Sequence, residues 1–446
     1  MNTEIAIQLA KFAVETTYRE IPEEVIEFTK GLALKTTAGM VVGSAMPSSR
    51  KIANIIRNRR LPKEVNVIGS GFQTSLWEAV FLNAFFAHAS ELEDDSFNGG
   101  VCWDITVIPL LFPLAQSLRL SGKALLEALA IGLEVHARTC MFPTESLGIV
   151  LVPGAIGPAA GAARALGLGA EQTASALGLA MSGVGVAIPN FGTDSHYFES
   201  ALQSLQGIMA AEMAKEGLSS NPDIASYLST LLGKEKVVPQ KIMADFGQKW
   251  MLRNIWIKKY PCCFLTHRHI DILLELKKQH NLSYENVKKI EAHISPTEET
   301  CNRPEVKSLG DLQFSYQHIL ASALLDGDVN FTHMDTDILA NPRYKEARSK
   351  VEVILHSDWS NHYMGSPAIV TIKTQDGREF SGERSYPIGS TKEPLSTETF
   401  KELYFKFTKG MLPGDLIEKT AEEILNLEKL VEVQGLMDRL TFRSKR

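Results

Sequence analysis

At 446 residues the chain exceeds one ordinary compact core, so two domains or one large domain with a substantial insertion are expected. Its 44% hydrophobic and 22% charged content is that of a globular protein. A net charge of −6 argues against nucleic acid or an anionic membrane as main partner, so an anionic ligand would need a locally positive pocket.

The opening stretch MNTEIAIQLAKF is acidic and amphipathic, without the basic region and apolar core of a signal peptide. Helical spacing follows over 3–17, with Ile5, Leu9 and Phe12 on one face, and over 22–40, where Pro22 and two glutamates suit a first turn. Further helices are expected over 74–90, 107–118, 122–136, 157–166, 170–181 and 199–215. Segments 146–163 and 172–193 carry no charge, but glycines and prolines interrupt them, and they read as core helices and turns rather than membrane spans. The composition of PAAGAARALGLG (158–169) suits close approach between helices.

Near residue 285 the pattern changes. VKKIEAHIS (287–295) and VEVILHS (351–357) read as strands, and AIVTIKTQDGREFSGER (368–384) as a hairpin turning at Asp376-Gly377. FSYQHILASALLDG (314–327) is helical and ends on glycine, and helices resume from Ser396. In that last stretch Leu416, Ile417, Ala421, Ile424, Leu427, Leu430 and Val431 share one helical face. The expected fold is mainly α: an all-helical domain of residues 1–257 and 394–446, with an α+β lid of residues 258–393 inserted before the C-terminal helices.

The five cysteines, Cys102, Cys140, Cys262, Cys263 and Cys301, are odd in number and irregular in spacing. Reduced thiols and a cytoplasmic setting are expected rather than a disulfide framework or a zinc knuckle.

Three segments carry candidate chemistry. NAFFAHASELEDDS (83–96) places His88 three residues before Glu91, with Glu93, Asp94 and Asp95 beyond. If the helix continued, His88 and Glu91 would share a face and serve as a general base or acid; the alternative is a solvated acidic helix end. A metal is compatible with these residues, but no second ligand cluster commits to one. IWIKKYPCCFLTHRHID (255–271) gathers Lys258, Lys259, His267, Arg268 and His269 about a rigid Tyr260-Pro261 turn, as recognition of a multiply charged anion requires. It reads equally as a basic linker. GTDSHYFESALQS (192–204) offers His196 and Glu199 at a helix start, where Asp194 or Ser195 could serve as a cap. Arg303 and Tyr316 are further polar candidates in 302–318.

Taken in order, LNAFFAHASELEDD (82–95), PAAGAARALGLG, KKYPCCFLTH (258–267), FSYQHILASALLDG and KEPLS (392–396) resemble the MmgE/PrpD family over nearly the whole chain. That family includes 2-methylcitrate dehydratase, cis-aconitate decarboxylase and iminodisuccinate epimerase. The resemblance implies an all-helical domain with an α/β lid, a homodimer and chemistry without metal or organic cofactor. It also implies a site using His88, Glu91 and Asp94 of the H-x-x-[DE]-x-D-D motif, in which Glu93 replaces an aspartate. Lys258, Tyr260 and His267 match the K-x-Y-P-C-C turn and the T-H after it, with Lys258 expected to hold a substrate carboxylate.

Three segments depart from the pattern. GGVCWDIT (99–106) has Cys102 and Trp103 where the family has H-P, and SLGIVLVPG (146–154) replaces an H-P-T segment. TDSHYFES (193–200) puts His196 near a family lysine and Glu199 near a family histidine.

With cations lost and a carboxylate gained, the usual tricarboxylates should bind poorly. The expected activity is that of a lyase, a dehydratase or decarboxylase, taking a proton beside a carboxylate or carbonyl of a small, less anionic organic acid. Candidate acids and bases are His196, Glu91, Asp94 and His88; candidate binding residues are Lys258, Lys259, Tyr260, His267, Cys102, Arg303 and Tyr316. Reprotonation at the same site would make an epimerase or isomerase, and loss of the histidines alone would leave a non-catalytic binding or scaffold protein.

Overall fold

The computed structural model describes residues 4–96, 102–142, 149–150, 152, 154–183 and 185–442. Two compact units result: residues 1–255 with 396–446, and residues 256–395.

The first unit is built from α1 (Glu4–Glu15), α2 (Glu23–Gly43), α3 (Pro47–Asn58), α4 (Leu76–Ala89), α5 (Asp104–Ser117), α6 (Gly122–Thr139), α7 (Ile156–Ala165), α8 (Ala170–Ala180), α9 (Asp194–Lys215), α10 (Ile224–Leu232) and α11 (Pro239–Ile242). Two short hairpins, β1 (Val65–Val67) with β2 (Phe72–Thr74) and β3 (Ile149–Val150) with β4 (Val186–Ala187), lie between them. No helix among the described residues is long and apolar enough to cross a membrane.

Helix α4 lies at the centre, packed by α2, α5 and α9. It is apolar all round and buried from Ala79 to Ala89, as a helix enclosed by others must be. Full burial of a side chain such as Phe86 stabilises the unit by about 1.5–3 kcal/mol. Glycine sets how closely these helices approach: a Cβ on Gly43 of α2 would lie 1.8 Å from the Phe86 carbonyl oxygen of α4. The same holds where Gly132 of α6 faces the backbone of Gly157 and Gly161 in α7, which is the reason for the small residues of 158–169.

In the second unit, α12 (His267–Gln279), α13 (Leu309–Phe314), α14 (Tyr316–Asp326) and α15 (Pro342–Ser349) accompany four strands, β5 (Val287–Ile294), β6 (Val351–Leu355), β7 (Ala368–Thr374) and β8 (Glu379–Arg384). The sheet order is β6-β5-β7-β8. Strands β5 and β6 are parallel, which requires the helical crossover 309–349, and β7 and β8 form the Asp376-Gly377 hairpin, with Gly377 at φ 86°. Ala368, Val370, Ile372 and Thr374 alternate inward along β7, and α12 packs on the sheet where a Cβ on Gly382 would meet Ile272.

Helices α16 (Thr397–Thr408), α17 (Gly414–Leu425) and α18 (Gln434–Leu440) return to the first unit, α16 and α17 against α2 and α18 against α5. The face expected to run from Leu416 to Val431 breaks at Asn426, where α17 has ended, and Val431 is 85% exposed.

Candidate active site

The candidate site of the first unit is made where α4 ends and α9 begins. Helix α4 does not continue to Glu91: it stops at Ala89, with Ser90 as its C-cap and the Glu91 amide on the His88 carbonyl at 3.0 Å. Glu91 has φ 53°, in the left-handed region that a residue with a Cβ avoids, and the turn there redirects its side chain. The segment 90–96 that follows is pinned inside the helical core. The Ser90 hydroxyl donates to the Ala87 carbonyl at 2.6 Å and accepts from the Leu92 amide at 3.2 Å.

The ammonium of Lys35, fully buried in α2, donates to the Leu92 carbonyl and to Asp94 Oδ1. The Asp94 amide donates to Asp104 Oδ1 at 3.0 Å, and Thr36 donates to the other oxygen at 2.8 Å. Burial pushes the Asp104 carboxyl up, and the nearby Lys35 charge opposes that rise.

His88, Glu91, Glu93 and His196 converge, each 5% exposed or less, with one nitrogen or oxygen from every side chain within 4.8 Å of the others. The His88 and His196 rings have centroids 4.0 Å apart, and His196 Nε2 is 3.9 Å from Glu91 Oε1. Phe191, at 4.6 Å from the His196 ring, and Tyr197, at 5.5 Å from that of His88, wall the cluster with aromatic surface.

Ser200, one turn after His196 on α9, holds the His88 ring: its hydroxyl is 2.7 Å from His88 Nδ1 and 3.0 Å from the Tyr197 carbonyl.

Helix α9 starts one residue earlier than either expected cap allows: Thr193 is the N-cap and Asp194 already helical. Glu199 does not join the cluster, because its carboxylate accepts from the Ala187 amide at 3.2 Å and from Asn190 at 2.7 Å and braces that loop. Cys102 is half-buried with Sγ 4.0 Å from Asp95 Oδ1. None of the five cysteines forms a disulfide. Residues 99–101 of GGVCWDIT, and 146–148, 151 and 153 of SLGIVLVPG, lie outside the described residues.

In the second unit the basic segment is a buried framework. Lys258 is 1% exposed. The Lys259 ammonium meets Asp271 at 3.2 Å, and the Tyr260 hydroxyl donates to the same oxygen at 2.9 Å. Burial and the Asp271 carboxylate push the Tyr260 phenol well up. His267 stacks on Phe264 at 4.7 Å, with Tyr260 edge-on at 5.1 Å.

Other candidates are tied into their surroundings. Arg268 donates to Glu298 and to the Ser366 carbonyl, both at 2.8 Å, beneath the Tyr363 ring. Arg303 pairs with Asp311 at 3.4 Å over Phe314, and the buried Tyr316 donates to the Leu265 carbonyl at 3.0 Å.

The structure thus brings His88, Glu91 and His196 together with Glu93 of the same acidic segment, and adds Lys35, Asp104 and Ser200, to which sequence reasoning assigned no role. Lys35 and Asp104 had a signal of their own, since each is a lone charge inside an apolar helical run. Ser200 had none.

The MmgE/PrpD N-terminal domain matches residues 7–227, and the MmgE/PrpD C-terminal domain matches residues 260–429. Cis-aconitate decarboxylase of Homo sapiens is 26% identical over 376 residues, covering 80% of this chain and 78% of the relative. Cis-aconitate decarboxylase of Aspergillus terreus is 24% identical, covering 98% and 96%, and the cis-aconitate decarboxylase-like protein oryM of Aspergillus oryzae is 23% identical, covering 97% and 96%.

Proposed function

The chain belongs to the MmgE/PrpD family, and from that premise we propose that it is a lyase removing water or carbon dioxide from a small organic acid. The observation that carries this reading is the buried imidazole pair: the His88 and His196 rings lie 4.0 Å apart, with His196 Nε2 3.9 Å from Glu91.

Either elimination needs a base and an acid a few ångströms apart. In loss of water, one imidazole takes the proton on the carbon beside the carboxylate, and the electron pair forms the double bond. The departing hydroxyl receives a proton from the other imidazole. In decarboxylation, cleavage of the C–C bond leaves its electron pair on carbon, and the imidazolium returns a proton there. Glu91 stabilises the imidazolium that forms in each case. Relatives named as cis-aconitate decarboxylases support the second course.

Lys258 is the cation that the family resemblance assigns to a substrate carboxylate. Charge favours an acid with fewer carboxylates than cis-aconitate, because Glu91 and Glu93 are themselves buried beside the histidines while Lys35 is engaged by Asp94. The test is proton NMR in D₂O with mono-, di- and tricarboxylates, with and without amines. Loss of carbon dioxide with a single deuterium delivered to carbon, or loss of water to form the double bond, supports the reading. A full panel with neither elimination nor exchange overturns it.

A further inference from the structure

We propose that His88, Glu91, Glu93 and His196 form a binding site for one divalent transition-metal ion. The ion would take up the imidazole lone pairs that the reaction proposed above uses, so metal binding and acid–base turnover at this site exclude one another and the ion would act as an inhibitor.

Geometry comes first. The four donor atoms lie within 4.8 Å of one another. Bonds of about 2.0–2.2 Å from imidazole nitrogen or carboxylate oxygen to a shared ion put the four donors of a tetrahedral shell about 3.4 Å apart. Small side-chain rotations close that difference. The donors come from two places in the chain, three from 88–93 and one from the start of α9, so neither segment alone displays a metal motif.

The donor chemistry is selective. Two imidazoles with two carboxylates suit zinc, iron(II) or manganese(II), whereas calcium and magnesium prefer all-oxygen shells. Two buried carboxylates balance a 2+ ion, leaving the centre neutral.

The surroundings are those of a ligand set. His88 Nδ1 lies 2.7 Å from Ser200 Oγ, an acceptor able to take the Nδ1 proton of a ring that binds a metal through Nε2. Glu91 is held at φ 53° with its carboxylate in the cluster, an arrangement that keeps an unfavourable backbone conformation in order to place one side chain. His196 stands near the family's lysine. Replacing an ammonium by an imidazole at that position removes a fixed charge and supplies the fourth donor.

The experiment uses the untagged full chain, treated with EDTA, desalted and titrated with Co²⁺ and Zn²⁺. One equivalent of Co²⁺ should bind with visible ligand-field absorption, be displaced by Zn²⁺, and raise the melting temperature. Glu93→Gln and His196→Gln should each weaken Co²⁺ binding by tenfold or more while retaining the wild-type far-UV CD spectrum. Should either variant fail to fold, proton NMR of the wild-type Co²⁺ form decides, with two paramagnetically shifted imidazole N–H signals expected. Absence of binding at millimolar metal overturns the proposal, as does binding undiminished in folded variants, or any count of shifted imidazoles other than two. A metal-free chain that turns over no acid yet binds Co²⁺ as described would sink the assigned reaction and leave this site standing.

Discussion

His88 Nδ1 and Ser200 Oγ are 2.7 Å apart, and the same hydroxyl lies 3.0 Å from the Tyr197 carbonyl. A single helical hydroxyl thereby anchors one nitrogen of the central histidine. Ser200→Ala releases that anchor without removing the ring. The expected outcome is a fall in kcat of about 10- to 100-fold, below the roughly 100- to 10,000-fold that a positioned acid–base group itself supplies, with KM little changed. Ser200→Thr keeps a hydroxyl and should restore part of the loss. Steady-state kinetics with the substrate found by NMR checks this; an equal loss in both variants would point to packing instead.

Lys35 is the buried cation on which segment 90–96 depends, bonding both Asp94 and the Leu92 carbonyl. Lys35→Met leaves the Asp94 carboxylate in the core without that partner, close to the Asp104 carboxylate that burial already disfavours. A loss of about 3–5 kcal/mol in stability is expected. The double variant Lys35→Met/Asp94→Asn should recover much of it, and urea unfolding of the four proteins measures the coupling.

Lys258 and Lys259 should separate cleanly. Lys259 is tied to Asp271 at 3.2 Å, so Lys259→Ala should lower the melting temperature and leave kcat/KM near wild type. Lys258→Ala should cost more than tenfold in kcat/KM, if its charge-assisted bond to a carboxylate is worth about 1.5–3 kcal/mol. Unchanged kcat/KM in Lys258→Ala removes that residue from substrate binding.

Acid should destabilise the fold before its carboxylates titrate. Burial lowers His136 to about 3 and His269 to about 4. These folded values lie below the unfolded value near 6.5, so on acidification the unfolded chain takes up protons that the folded chain refuses. The stability these neutral rings contribute is intact above pH 6.5. It declines as pH falls towards their folded values, by up to about 1.4 kcal/mol per pH unit for each ring. Melting temperatures from pH 7 to pH 5 should drop, and His136→Gln should flatten that slope. A pH-independent melting temperature across this window would contradict the assignment of buried neutral histidines.

Periodicity is a local signal, and the elements that depend on it were legible: α2, α4, α6, α7 and the β7–β8 hairpin stand close to where their apolar spacing places them. The surface of α17 beyond Asn426 was misjudged because an apolar pattern does not report where a helix ends. The site was half legible. His88 and Glu91 were found by proximity in sequence, although a left-handed turn rather than a continuing helix brings them together. His196 was visible beside Glu199 and as a candidate acid or base together with Glu91; the fold brings it to Glu91, while Glu199 braces the loop at Ala187 and Asn190. Lys35 and Asp104 act through residues 59 and 10 positions away, respectively, a relation that no spacing rule reaches. The basic turn at 258–269 showed its charges in sequence but not the acids that engage them, Asp271 for Lys259 and Glu298 for Arg268.

The central claim is proton transfer at carbon by the His88–His196 pair, and incubation in D₂O with the carboxylate panel tests it most directly. Loss of carbon dioxide with one deuterium placed on carbon, or loss of water, is expected from a mono- or dicarboxylate and is abolished in His88→Gln and in His196→Gln. Turnover that persists in both folded variants, or rapid conversion of cis-aconitate in preference to every smaller acid, would contradict it.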